Sequence, residues 1–286
     1  MSSTPLTVGV LGLGRLGSAL AAALTAAKVG RVEVASRRTD HAQSIARAIS
    51  VESVSPGALV ERSDLIVLTV PDAAIDGTVR ELPWRAGQAV VHCSGALGLD
   101  VLGTAAAQGA LTGCFHPLQT FPAGGSPTDA PALFRGITCG VESGDPALGT
   151  QLEAIATNLG AHPIHLDGVD RALYHAAAVL LSNDVVALAA AATRVWTEAG
   201  LPAEAAREAL SPLLLAAARN IGRLTLAEAL TGPVARGDVA TVERHLQALQ
   251  VEPELRELYR RLALELLRLD LTQVPDVTAA LRRALG

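Results

Sequence analysis

The sequence predicts an α/β protein, with a doubly wound, mainly parallel sheet over residues 1–166 and an all-α domain over residues 167–286. Three observations predict it. Short β-branched runs alternate with helical stretches as far as Leu166. A glycine-rich turn separates the first run from the first helix. Beyond Leu166 the strand signals stop and helical periodicity continues alone.

The elements follow in order. Residues 6–11 form an apolar run ending at Gly12, and residues 15–28 a helix. Residues 31–35 read as a strand, 40–49 as a helix, 64–70 as a strand and 73–82 as a helix. Leu65-Ile66-Val67-Leu68 is apolar on both faces, as a parallel strand covered by helices on two sides must be. Strands at 88–93 and 111–115 flank a helix at 99–108. A strand at 137–141, a helix at 146–159 and a short strand at 162–165 complete the alternating half. Pro122 to Pro131 holds two glycines and three prolines in ten residues and is the expected mobile segment. Asp167, with Asp170 three residues later, is expected to cap a helix that meets no strong breaker before Gly200 and Pro202. That helix would run for about 32 residues, roughly 48 Å. Further helices are expected at 202–220, 238–250, 253–270 and 277–285. In the third of these, Leu255, Leu258, Tyr259, Leu262, Leu266 and Leu269 share one face.

Composition excludes several function classes. Twenty-three basic against 28 acidic residues leave a formal charge of −5, unsuited to gripping a nucleic-acid backbone or an anionic membrane. Aromatics make up 2% of the chain, too few to stack single-stranded bases. The long apolar stretch from Ala176 to Ala192 carries Ser182, Asn183 and Asp184 at its middle, which a bilayer would bury at high cost. Met1-Ser2-Ser3-Thr4-Pro5 lacks the basic and apolar regions of a secretory signal, so a cytoplasmic location is expected. Cys93, Cys114 and Cys139 are odd in number, match no close-spaced metal or redox pattern and read as reduced thiols. His92, Cys93, Cys114 and His116 are a soft donor set at two strand ends. Adjacent strand residues point to opposite faces, however, so no metal site is expected.

Gly12-Leu13-Gly14-Arg15-Leu16-Gly17 fits G-x-G-x-x-G between a strand and a helix, the context that makes it a Rossmann-type dinucleotide cradle. Gly12 permits the turn, Gly14 lets a pyrophosphate approach, and Gly17 lets helix and strand pack closely. The second strand ends in Ala35-Ser36-Arg37-Arg38, without the acid that binds the ribose hydroxyls of NAD. Two guanidiniums stand there instead, which favours the 2′-phosphate of NADP(H). Val70-Pro71-Asp72, His92-Cys93-Ser94-Gly95 and His116-Pro117-Leu118-Gln119-Thr120 end three strands at the carboxyl edge where ligands bind in such sheets. Val70, Pro71 and Ser94 are expected to touch the cofactor.

The cradle, the Ser-Arg-Arg tip, the Val-Pro-Asp turn and the long helix after the sheet resemble the 6-phosphogluconate-dehydrogenase-like superfamily. That group includes β-hydroxyacid dehydrogenases, ketopantoate reductase and pyrroline-5-carboxylate reductase. More narrowly, the chain resembles a family of Rossmann-like NADP oxidoreductases with their own helical C-terminal domain. The resemblance rests on His92 to Ala96, His116 to Phe121, Tyr174 to Ala178 with Ser182-Asn183, and Thr231 to Asp238. It implies hydride transfer from NADPH to the C=O or C=N of a small carboxylate-bearing substrate. A 2-keto acid such as 2-ketopantoate is preferred, with a pyrroline-5-carboxylate-type imine as the alternative. The loop of His116 and Gln119 looks placed like the substrate loop of pyrroline-5-carboxylate reductases.

The chain departs from lysine-using members, because its one lysine, Lys28, lies on the first helix. The long helix offers His175 instead. In projection His175 and Ser182 fall about 20° apart, and Asn183 about 80° from His175. His175, Asn183 and His116 are the candidate catalytic residues, and Tyr174 is an alternative hydroxyl donor. Ser182, Gln119 and Arg236 are the candidate substrate contacts, Arg236 through a substrate carboxylate. The missing lysine leaves open a non-catalytic module that senses redox state by binding NADP(H). The alanine-rich flank of the long helix has too little polar cover for a lone subunit, so a homodimer is expected.

Overall fold

A computed structural model describes residues 5–269, 271 and 275–286. The chain forms two compact units, Met1–Ser182 and Asn183–Gly286.

The first unit is built on eight strands: β1 (Thr7–Leu11), β2 (Arg31–Ala35), β3 (Glu52–Ser53), β4 (Leu65–Leu68), β5 (Ala89–His92), β6 (Leu111–Pro117), β7 (Thr138–Ser143) and β8 (His162–His165). Their spatial order is β3-β2-β1-β4-β5-β6-β7-β8. The order reverses between β1 and β4, which opens the crevice that receives ligands in doubly wound sheets. Neighbours run parallel except β6 and β7, which are antiparallel. No helix of α type crosses between those two strands, only a 3-10 turn at Ala130–Phe134, and a parallel return needs a crossover.

Seven helices belong to this unit: α1 (Arg15–Ala26), α2 (Thr39–Ile49), α3 (Pro56–Arg62), α4 (Asp72–Glu81), α5 (Gly103–Ala107), α6 (Pro146–Asn158) and α7 (Arg171–Leu180). They cover both faces. Leu65 and Val67 of β4 join a core with Leu20 and Leu24 of α1. Ile66 and Leu68 join the opposite core with Leu59 of α3 and Ile75 of α4. Each fully buried leucine contributes about 1.5–3 kcal/mol of transfer free energy. β3 and α3 lie outside the sequence expectation, since a two-residue strand has no period to read. Ser55 caps α3 by accepting the Ala58 N–H at 3.3 Å, and Pro56 opens it.

The expected 32-residue helix is interrupted. α7 ends at Leu180, and α8 (Asn183–Glu198) begins after a turn at Leu181 and Ser182. There the Ser182 N–H bonds to the Val179 carbonyl and its hydroxyl bonds back to Ala178 O at 2.7 Å. Back-bonding of this kind bends helices. The N-cap of α7 is Asp170, not Asp167; its carboxylate accepts the Leu173 N–H at 3.0 Å. Strands end at residue 165, near the expected boundary at 166, whereas the compact units divide at Ser182.

The second unit continues with α9 (Ala203–Ile221), α10 (Leu226–Ala229), α11 (Pro233–Arg236), α12 (Val239–Ala248), α13 (Pro253–Leu266) and α14 (Pro275–Leu285). Val234, Val242, Leu246, Ala263, Leu267, Leu281 and Leu285 form its core. Asp238 caps α12 through the Thr241 N–H. α8 buries only Ala191 and α9 only Ala206. The apolar face of α13 is also incompletely covered: Leu255 is buried, but Leu258 and Leu262 are exposed. The expected end of that helix at Asp270 lies outside the described residues.

Candidate active site

The cradle follows from steric facts at three glycines. Gly12 has φ +103°, and a Cβ there would press on Thr69 and Val70 at 2.9 Å. A Cβ at Gly17 would overlap the Gly12 carbonyl oxygen and the Thr69 hydroxyl. At Gly14, by contrast, a Cβ would meet no protein atom within 4 Å. The backbone is bare where a ligand must come close. α1 starts at this point with no side-chain cap and no acid in its first turn, so its leading N–H groups are available to an anion. His41 on α2 ties the loop down through Leu13 O at 2.9 Å.

A cavity of about 1060 Å³ opens over the cradle. Gly12, Leu13, Gly14, Arg15, Leu16, Ser36, Arg37, Arg38, Val70 and Pro71, all expected cofactor contacts, line it. Gly17 does not; its role is packing. Among the described residues no carboxylate pairs with Arg37 or Arg38. Bare backbone at Gly14, free helix N–H groups and two unpaired guanidiniums fit a 2′-phosphorylated dinucleotide. Those residues would hold its pyrophosphate and its phosphorylated ribose.

Ser94, also expected to touch the cofactor, is engaged within the protein. It is 5% exposed and does not line the cavity. Its hydroxyl donates to Asp72 Oδ2 at 2.7 Å and accepts the N–H groups of Ala96 and Leu97 at 3.2 and 3.1 Å. Ser94 therefore holds Asp72, at the first turn of α4, and Asp72 lines the cavity.

Near the ends of β5 and β6 three side chains converge. His116 Nδ1 and Tyr174 Oη share a hydrogen bond of 2.9 Å, with the rings edge-on. The His116 and His175 rings lie 6.3 Å apart. Gly95 is what permits this: a Cβ there would stand 2.7 Å from His175 Nδ1 and 2.8 Å from His116 Nε2. His175 Nδ1 is buried and has no hydrogen-bond partner among the described residues. His92 is structural. Its Nδ1 accepts the Ser94 N–H and its Nε2 faces Gly98 O at 3.1 Å, which fixes a neutral tautomer.

Arg171 underlies the cluster, with its side chain 9% exposed. Nε donates to Gly95 O at 3.3 Å and Nη2 to Ser94 O at 2.8 Å and Cys114 Sγ at 3.0 Å. Nη1 pairs with Glu142 Oε2 at 3.0 Å. Burial, and then this cation, push both His92 and His116 down to about 4. Burial pushes the Tyr174 phenol up to about 12 and the Cys114 thiol up to about 11. Near neutral pH the His116 imidazole and the Tyr174 phenol are thus both uncharged.

Gln119 and Ser182 are not gathered here. Gln119 is exposed, with its amide directed to Leu133 O at 3.4 Å. The Ser182 hydroxyl is used within its own helix. Asn183 starts α8, and Arg236 ends α11 as an exposed side chain; both belong to the second unit. Sequence reading passed over Arg171, Asp72 and the pairing of Tyr174 with His116. The adjacent Tyr174-His175 dipeptide was the available signal.

Residues 1–117 match the Rossmann-like domain family, and residues 137–266 match a domain of unknown function, DUF2520. No curated protein matches the chain. A candidate NADP oxidoreductase from Bacteroides fragilis is similar in structure, with 25% identity and a TM-score of 0.72 over 93% of this chain and 99% of that one. A reductive aminase from Aspergillus terreus, solved with NADPH, shares the fold at 16% identity and a TM-score of 0.66, over 98% and 99% of the two chains. So does a 1-pyrroline-5-carboxylate reductase from Streptococcus pyogenes, at 14% identity and a TM-score of 0.64, over 93% and 100%. The chain thus carries a Rossmann-like match followed by a DUF2520 match, in a fold it shares with the candidate NADP oxidoreductase from Bacteroides fragilis.

Proposed function

We propose that this protein is an NADPH-dependent reductase acting on the C=O or C=N of a small molecule. The observation that carries the reading is the His116–Tyr174 pair, with His175 beside it, toward the carboxyl end of β6 in the same sheet whose β1 opens the cradle. When bound, the reduced nicotinamide supplies a hydride to the substrate carbon. The oxygen or nitrogen left behind needs one proton, which the pair can deliver. With His116 protonated on Nδ1, the phenol hydrogen of Tyr174 is free to transfer. With the other tautomer, Nε2–H of His116 is the free donor. Asp72, held by Ser94, puts a carboxylate on the wall of the cradle cavity.

Substrate choice is a finer matter. Arg171 is engaged by two carbonyls, a thiol and a carboxylate, so it is not the anchor of a substrate carboxylate. We assign that role to Arg236, with Asn183 as an orienting group. The names of the reductive aminase and the pyrroline-5-carboxylate reductase support C=N reduction, while 2-ketopantoate represents the C=O class. We also infer a cytoplasmic homodimer. α8 and α9 leave Val186, Leu213 and Leu215 exposed, and Leu188, Val195, Leu258 and Leu262 edge an apolar cavity of about 710 Å³ in the second unit. The stretch Arg171–Glu198 is long and apolar enough to cross a membrane by composition, yet it is broken at Leu181 and Ser182, next to Asn183 and Asp184.

Calorimetry with NADPH and NADH tests the cofactor. Replacing both Arg37 and Arg38 by alanine is expected to weaken NADPH about 10–100-fold, the worth of one or two charge-assisted hydrogen bonds, and to leave NADH unchanged. NADPH oxidation over a panel that includes 2-ketopantoate and pyrroline-5-carboxylate then tests the chemistry. Binding without turnover of any keto or imino compound returns the redox-sensing reading. Folded protein that takes up neither coenzyme removes both.

A further inference from the structure

We propose that Arg171 is the positioning residue of the proton-delivery cluster: its guanidinium fork ties the first turn of α7 to the loop after β5, to β6 and to β7, and so seats Tyr174 Oη on His116 Nδ1. The proposal deepens the reductase reading and rests on it. The ties are specific. Ser94 O and Gly95 O lie just past β5, Cys114 lies in β6, and Glu142 lies in β7. The same guanidinium stands 5.9 Å from the centre of the Tyr174 ring. One side chain therefore fixes the loop that carries Gly95 and, three residues along its own helix, the phenol that meets His116. A lysine could keep the charge but not the planar fork that reaches four acceptors on three elements.

The cation also sets the ionisation of the site. His116 is faced by Arg171, Tyr174 and His175 from α7, by Asp72 from α4, by His92 from β5 and by Cys114 from its own strand, with Glu142 of β7 behind Arg171. Asp72 acts against the guanidinium, but burial and Arg171 outweigh it, and His116 stays neutral down to about 4. A neutral His116 can share a hydrogen with Tyr174 in either direction; a protonated one can only donate.

The test is nitrogen-15 NMR of the histidine rings in the full chain, which needs no substrate. In the native protein the Nδ1 signal of His116 is expected to differ from its position in Tyr174→Phe, which lacks the bond. Arg171→Met should bring that signal to the Tyr174→Phe position and raise the His116 titration by about one pH unit or more, as loss of a nearby like charge does. Arg171→Lys should also lose the Nδ1 signature while His116 continues to titrate low, because charge is kept and geometry is not. Retention of both native signals in Arg171→Met overturns the proposal. If that variant does not fold, retention of the Nδ1 signature in Arg171→Lys overturns it equally. A merely structural tie would lower the melting temperature and leave these signals unmoved. NADPH affinity by calorimetry should be native in both variants, so failure of the cradle is seen separately from failure of Arg171.

Discussion

The two units handle their apolar residues in opposite ways. The sheet unit hides Leu20, Leu24, Leu65, Ile66 and Leu68 almost completely, on both faces. The helical unit leaves Leu213 at 68% and Leu215 at 55% exposure on α9, and Val186 at 70% on α8. The first therefore satisfies its own hydrophobic surface, and the second has surface to give to another chain. The comparison breaks or sharpens first on paired substitutions. Leu20→Ala should cost about 2–5 kcal/mol, because it opens a cavity in a closed core. Leu213→Ala should stay within about 0.5 kcal/mol in a dilute, monomeric sample. Denaturant melts give both values. Leu213→Glu should then dissociate the proposed dimer in light scattering without moving the melt of the sheet unit. Equal costs for the two leucines would mean that α9 is already covered within one chain.

The contrast also explains what could be read from the sequence. The apolar doublets of β4, the glycines at 12, 14 and 17 and the acid-free tip at Ser36 to Arg38 are local, and each keeps its meaning in the structure. β3 and α3 are too short to carry a period. The break at Leu181 and Ser182 contains neither proline nor glycine, so no breaker marks it. His116 and His175 were visible as chemistry. Their convergence over Gly95, and the bond of His116 to a tyrosine 58 residues away, are set by which strands adjoin which helix. Ser94 is a related case. A serine past a strand end reads as a ligand contact, but this one spends its hydroxyl on Asp72 and the following amides.

Acid should separate the two units next. His92 and His116 are held neutral, with folded values near 4 against 6.5 when free. The unfolded chain then binds more protons between those values, so the sheet unit loses stability as pH falls from about 6.5 towards 4. In the helical unit the Arg260 and Arg261 guanidiniums hold Glu257 down to about 2, from an ordinary 4.5. What that carboxylate contributes is lost only below 4.5, as pH falls towards 2. Each unit carries one tryptophan, Trp84 in the first and Trp196 in the second. Fluorescence of Trp196→Phe should report an acid transition at higher pH than that of Trp84→Phe. Coincident transitions, or the reverse order, would mean that the buried histidines do not govern the acid limit of the sheet unit.

The smallest effect is the most discriminating about function. Asp170 caps α7 and Thr225 caps α10, the latter in a reciprocal box with Glu228. Either residue changed to alanine should cost about 1 kcal/mol, since each removes one side-chain acceptor from a helix start. The consequences should nevertheless differ. The first turn of α7 carries Arg171 and leads to Tyr174 and His175, so Asp170→Ala should slow NADPH-dependent reduction beyond what lost stability explains. Asp170→Asn, which keeps the cap, should restore it. Thr225→Ala should lower the melting temperature alone and leave the rate native. Turnover with any substrate from the panel, measured well below both melting temperatures, checks this. Equal rates for the two alanine variants would show that the helix carrying the histidine and tyrosine is not what limits proton delivery.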